Sequence, residues 1–203
     1  MCRHVSPVQT RTKFVILMHP KEFKKVKNNT GYLTKLSLPN SELFIGINFS
    51  SHHRVNEIIE THKSYILFPS LDALNLSSQN LQIDKHTNEK EIAIFLIDST
   101  WSCTKSILNQ SENLKTLNHL SFETQRVSQY DIKQQPQKNY LSTIESTHVV
   151  LELLNLQGIE EIKEKELENF LNPFFNMIQY QKELIANPKS HAVRFKKKRV
   201  ELF

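Results

Sequence analysis

Glycine is scarce in this chain of 203 residues: only Gly31, Gly46 and Gly158 occur. Dinucleotide fingerprints and phosphate-cradling loops need closely spaced glycines where backbone approaches phosphate, so an ordinary nucleotide-binding Rossmann site is disfavoured. Cysteine is rarer still. Cys2 and Cys103 cannot frame a disulfide scaffold or supply a cysteine-only zinc centre, and they suit a reducing compartment. No apolar run approaches the roughly 18 residues of a membrane span. The opening Met1-Cys2-Arg3-His4-Val5-Ser6-Pro7 lacks the apolar stretch of a secretory signal. The expectation is a cytoplasmic protein.

What is present suits a globular domain. Hydrophobic residues make up 38% and charged residues 23%, enough to bury a core and too balanced for wholesale disorder. The formal charge of +5 is mild, and its distribution says more than its size. Lys21, Lys24, Lys25 and Lys27 cluster early, and Arg194-Phe195-Lys196-Lys197-Lys198-Arg199 places five cations in six residues. Such runs attract phosphates through counterion release, although a solvated tail accounts for the second equally well. The length suits a single domain over residues 1–189, followed by a basic tail over 190–203.

Hydrophobic patterning predicts alternating strands and helices. Lys13-Phe14-Val15-Ile16-Leu17-Met18 reads as a buried strand ending at His19-Pro20, and residues 42–47 and 65–68 read as two more. Ile92-Ala93-Ile94-Phe95-Leu96-Ile97 is apolar on both faces, as central parallel strands are, and stops at Asp98. Helical character is expected in part of 21–35, and over 55–62, 101–109, 143–154, 160–171 and 174–186. Ser142 and Glu145 form a capping box, and Pro173 is allowed at the start of the last helix. Residues 76–90 read as a surface excursion, and 125–139 as a loop around one short strand. The fold class is therefore α/β, a largely parallel sheet flanked by helices with a helical C-terminal part.

Ligands of open α/β sheets bind beyond the carboxyl ends of the strands. Three such ends carry unusual residues: His19-Pro20, Pro69-Ser70 and Asp98-Ser99-Thr100-Trp101. The last puts a carboxylate, two hydroxyls and the only tryptophan where a strand gives way to a helix. Capping by the polar three and core packing by Trp101 would explain the same residues without function.

Asp98-Ser99-Thr100-Trp101 resembles the Asp-x-Thr-Trp signature of DTW-domain proteins, and further segments match that family in order and spacing. They are Ile16-Leu17-Met18-His19-Pro20-Lys21-Glu22 with Asn29-Thr30-Gly31; Tyr65-Ile66-Leu67-Phe68-Pro69-Ser70; and Tyr130-Asp131-Ile132-Lys133-Gln134-Gln135-Pro136 with Leu141-Ser142-Thr143-Ile144-Glu145. Together they span residues 13 to about 155. There are departures. Family members often begin with closely spaced cysteines that suggest zinc, of which only Cys2 remains, so no metal site is expected. Lys133 replaces a usual arginine, keeping the charge but losing the bidentate fork, and Thr104 and Ser146 replace alanines.

The resemblance implies a SPOUT-like and possibly knotted fold, and a tRNA-uridine aminocarboxypropyltransferase. Such an enzyme would move the 3-amino-3-carboxypropyl group of S-adenosylmethionine to N3 of a tRNA uridine and release 5′-methylthioadenosine. S-adenosylmethionine is then a co-substrate and no metal takes part. Asp98, Thr100 and Trp101 become the catalytic candidates, with Asp98 either the base for N3 or the anchor of the cofactor's amino group. Trp101 could wall the sulfonium or pack the helix. Pro69, Ser70, Asp98, Ser99, Thr100, Lys133, Ser142 and Thr143 are the candidates for holding the cofactor. Lys24, Lys25, Lys27, Tyr130, Arg194, Lys196, Lys197, Lys198 and Arg199 are those for RNA, with Tyr140 also available to stack. A monomer is favoured over a homodimer. An RNA methyltransferase of the same fold, or a non-catalytic RNA-binding module, are the alternatives.

Overall fold

A computed structural model describes residues 4–25, 29–78, 90–130 and 140–186, the side chains of Lys24 and Lys25 excepted. It contains a six-stranded sheet in the order β2-β1-β5-β3-β6-β4, with every pairing parallel. The strands are β1 (Lys13–Met18), β2 (Ser41–Ile45), β3 (Lys63–Leu67), β4 (Leu74–Asn75), β5 (Ile92–Asp98) and β6 (Asn118–Ser121). The helices are α1 (Pro20–Lys25), α2 (Thr30–Ser37), α3 (His53–Thr61), α4 (Trp101–Gln110), α5 (Glu112–Lys115), α6 (Thr143–Leu156), α7 (Glu164–Phe170) and α8 (Asn172–Ala186).

The alternation of side chains along β1 and β5 divides the core into two layers. Phe14, Ile16, Ile94 and Leu96 face one side, where Leu33 of α2, Ile144, Val150, Leu151 and Leu154 of α6, and Phe170 and Phe174 pack on them. Val15, Leu17, Ala93 and Phe95 face the other, against Val55 and Ile58 of α3, Ile107 of α4 and Leu114 of α5. Two-sided burial is why both strands read as continuous apolar runs.

This layering fixes where a ligand can enter. The connection from β1 to β2 runs over the first layer through α2, and that from β5 to β6 over the second through α4 and α5. The chain thus leaves neighbouring strands in opposite directions on opposite faces. The crevice between the ends of β1 and β5 is therefore a topological switch point, the usual ligand position in open α/β sheets. Met18 and Asp98 pair across it.

Several expectations need correction. β6, at Asn118–Ser121, carries one strongly apolar residue, the buried Leu120, so its four residues gave no visible period. The short strand expected within 125–139 is absent from 125–130, and the remainder lies outside the described residues. Residues 76–90 do not begin as a surface excursion: Leu76 is 1% exposed, its N–H bonds the Ser121 carbonyl, and its carbonyl accepts from Gln157 Nε2. The helix expected over 160–171 starts only at Glu164, because the preceding residues are held otherwise. Buried Glu160 accepts the backbone N–H groups of Arg11 and Thr12, and the Ile162 N–H bonds Asn155 Oδ1. No helix among the described residues is long and apolar enough to cross a membrane.

Candidate active site

Strand β5 carries Asp98 to the switch point and turns its side chain toward the layer that holds α2 and α6. Asp98 is 6% exposed, Thr143 Oγ1 donates to its Oδ1 at 2.5 Å, and its carbonyl accepts the His19 N–H. Gly31 packs directly against it: a Cβ added there would lie 2.7 Å from Asp98 Cγ and 2.8 Å from Oδ2. The first turns of α2 and α6 thus converge on one carboxylate, and helix N-termini favour negative charge. Asn29 caps α2 by accepting the Tyr32 N–H. Ser142 caps α6 in the expected capping box with Glu145.

Glu145 also reaches beyond its helix. Its buried carboxylate accepts from Ser142 N–H, Ser142 Oγ, Gln129 N–H and Ser128 Oγ. One side chain therefore ties the start of α6 to the loop at 128–129, setting Thr143 beside Asp98.

Around this point opens a cleft of about 1210 Å³, lined by the ends of β3, β5 and β6, the start of α4 and the start of α6. Its lining is rich in hydroxyls. Ser99 Oγ and Thr104 Oγ1 lie 2.7 Å apart, Thr100 Oγ1 and Ser102 Oγ 3.3 Å apart, and Thr30, Ser142 and Ser146 join them in the lining. Its mouth is aromatic: Trp101 is 39% exposed, with ring centroids 5.9 Å from Phe68 and 5.1 Å from Tyr140. A family model described as the DTW domain matches residues 1–182. The chain belongs to the DTW-domain family.

Curated relatives agree. Three proteins named tRNA-uridine aminocarboxypropyltransferase 2 are similar to this DTW chain. That of Mus musculus is 30% identical over 74% of the chain and 50% of the relative. That of Drosophila melanogaster is 26% identical over 86% of the chain and 66% of the relative. That of Macaca fascicularis is 28% identical over 73% of the chain and 49% of the relative. This DTW domain thus spans from half to about two-thirds of the length of the curated relatives it matches. No solved structure matches it.

The DTW signature and its companions meet in the cleft. Pro69, Asp98, Ser99, Thr100, Trp101, Ser142 and Thr143 all line it. Ser70 does not; it is exposed beside the mouth, where its carbonyl closes a turn with the Ala73 N–H. Trp101 is not core, since more than a third of it faces solvent. Tyr130 requires the opposite correction. It is 7% exposed, its ring packs edge-on against Phe174, and its hydroxyl meets Gln181, so no free face remains for an RNA base. Burial, with the nearby carboxylates of Asp98 and Glu22 adding to it, pushes its phenol pKa up. Lys27, Lys133, Arg194, Lys196, Lys197, Lys198 and Arg199 lie outside the described residues, as do the side chains of Lys24 and Lys25.

His19 is buried, and its Nδ1 accepts the Lys21 N–H, so it serves the turn into α1. His52 similarly starts α3 by accepting the Val55 N–H. Sequence reasoning missed Gly31 as a contact of Asp98, Phe68 as part of the aromatic mouth, and the lining residues from Ser121 to Gln125. Gly31 carried a signal in retrospect: a glycine in the first turn of a helix, in a chain with so few, needs a steric reason.

Proposed function

We propose that this protein transfers the 3-amino-3-carboxypropyl group of S-adenosylmethionine to N3 of a tRNA uridine. The observation that carries this reading is the convergence of Asp98, Thr143 and Gly31 at the switch-point crevice, in a chain whose curated relatives are named tRNA-uridine aminocarboxypropyltransferase 2. The residues present fit the donor. A carboxylate suits the ammonium of its methionine half, and the hydroxyls of Ser99 and Thr100 with the start of α6 suit the carboxylate of that half, while Ser142, whose O–H is given to Glu145, shapes the start of α6 beside it. Lys133 is proposed to assist there. The missing Cβ at Gly31 lets the start of α2 pack against Asp98 without displacing its carboxylate.

Once bound, the sulfonium of the donor activates the methylene on its methionine side toward displacement, with methylthioadenosine as leaving group. The protein's task is to present that methylene, rather than the methyl, to the acceptor nitrogen, so regiochemistry follows from how the donor's tail is held. Asp98 does this holding. The Thr143 hydroxyl holds the carboxylate beside the starts of α2 and α6, the position for an ion pair with the donor's ammonium. The N3 proton then leaves to another acceptor as the nitrogen–carbon bond forms. The lysines of 24, 25 and 27 and the basic run from 194 to 199 are proposed to meet tRNA phosphates. A SPOUT-like arrangement and a cytoplasmic location belong to the same reading.

The test is nucleoside mass spectrometry of unmodified tRNA incubated with the protein and S-adenosylmethionine, with Asp98→Ala alongside. An aminocarboxypropyl-sized gain on uridine that Asp98→Ala abolishes is expected. A methyl-sized gain would replace the reaction with methyl transfer, and no gain on any tRNA or rRNA would remove the enzymatic reading.

A further inference from the structure

The cleft is larger than one ligand needs. Pockets that enclose a single drug-sized molecule measure roughly 300–1,000 Å³, and this one reaches about 1210 Å³. Its two ends differ in chemistry. The inner end, around Asp98, Thr143, Ser142 and Thr104, is polar and closed over by α2 and α6. The outer end is a wall of three rings. Trp101 stands between Phe68 and Tyr140, tilted by 54° and 42° to them, and Phe68 is held from behind edge-on by His119. Such support fixes the indole while leaving 39% of Trp101 in solvent.

We infer that the Phe68–Trp101–Tyr140 wall is the stacking platform for the acceptor nucleobase, an unpaired pyrimidine turned out of an RNA strand. The inference rests on the reading above and divides its site in two. A base still attached to its strand can reach only the mouth, whereas a free small molecule can enter the polar inner end. Single-stranded bases are commonly held by aromatic side chains, and the indole is the largest such surface here. Exposed Lys105 follows one turn after Trp101 on α4, which sets a cation beside the platform for the adjoining phosphate. The supports have distinct duties: Phe68, at the end of β3, orients the indole, and Tyr140 narrows the slot just before α6 begins.

The chain offers its own reporter, because Trp101 is its only tryptophan. The experiment is a fluorescence titration of the full chain with a short oligouridylate, and separately with S-adenosylhomocysteine. Isothermal titration of both probes against Trp101→Ala and Trp101→Phe accompanies it. Oligouridylate is expected to quench the indole emission, with S-adenosylhomocysteine changing it far less. Trp101→Ala should weaken oligouridylate binding about 5- to 150-fold, the range for loss of one stacked base, while Trp101→Phe recovers much of it. S-adenosylhomocysteine affinity should stay within about twofold in both variants, which also reports that the inner end is intact. Quenching by S-adenosylhomocysteine alone would assign the platform to the donor's adenine and overturn the inference. Equal loss of both ligands in Trp101→Ala would reduce Trp101 to a structural role and overturn it as well. Failure of the proposed reaction registers elsewhere, as the absence of any S-adenosylmethionine-derived mass on RNA with the unaltered protein.

Discussion

Gly31→Ala tests the centre of the site without touching a polar group. The added methyl carbon would lie 2.7 Å from Asp98 Cγ, 2.8 Å from Oδ2 and 3.0 Å from Cβ. Carbon atoms prefer about 3.5–4.0 Å, so the approach is too close by up to roughly 1 Å. Asp98 has little room to yield, because Thr143 holds its Oδ1 and its backbone is paired beside Met18 at the end of the sheet. Overpacking of this kind costs about 1–3 kcal/mol. Replacing glycine in a helix returns up to about 1 kcal/mol in propensity, less in the first turn. The expected net loss is about 0–3 kcal/mol, read as a melting temperature lower by up to about 12 °C. Donor affinity should fall more clearly, since the carboxylate moves or is covered. The decisive assay is a double-mutant cycle by denaturant unfolding. In an Asp98→Ala background only the 3.0 Å approach to Cβ remains, so the same substitution should become neutral or mildly stabilising. A coupling of about 1–3 kcal/mol between the two positions is expected. Equal destabilisation in both backgrounds, or unchanged affinity for S-adenosylhomocysteine in Gly31→Ala, would refute the reasoning.

Two further outcomes are expected. Thr143→Val keeps the shape but removes the hydrogen bond to a charged acceptor; it should cost about 1–2 kcal/mol and lower S-adenosylhomocysteine affinity about tenfold, measured by unfolding and by calorimetry. Unchanged values in both would show that Asp98 does not depend on it. Far from the cleft, the Arg54 guanidinium, with Lys13 opposite, holds the Glu42 carboxyl at about 2, below its usual 4.5. A depressed carboxyl contributes stability above its unfolded value, and that contribution disappears as pH falls through about 2. Wild type should therefore exceed Glu42→Gln by on the order of 1 kcal/mol at neutral pH, solvent screening limiting the gain, with the gap closing between about pH 5 and pH 2. A gap independent of pH would contradict this.

Much of the architecture was legible in residues that bury both faces. β1 and β5 announce themselves because fully covered parallel strands admit almost only apolar side chains, and α6 through its capping box and the recurrence of Ile144, Thr147, Leu151 and Leu154. β6 and β4 were not legible, since strands of four and two residues are defined by their neighbours rather than by their own pattern. At the site, Asp98 followed from a strand ending abruptly on a carboxylate, and Thr143 from its family segment. Burial could not be read for single aromatics. Tyr130 and Tyr140 flank the same segment, yet one packs against Phe174 and the other against Trp101, a distinction made by α8 and α4 rather than by local sequence. Gly31 depends on contact between residues far apart in sequence, which no local pattern encodes.

The carboxylate of Glu145 has a consequence for how this protein can diversify. It holds the Gln129 N–H on one side and the Ser142 N–H on the other, so the chain departs and returns at two points clasped by the same group. Whatever is inserted between those points meets an anchorage that is already closed, and doubling the length of such an excursion costs only about 0.6 kcal/mol. A change of length between those points therefore leaves the clasp on α6 intact, and Asp98 and Thr143 keep their places.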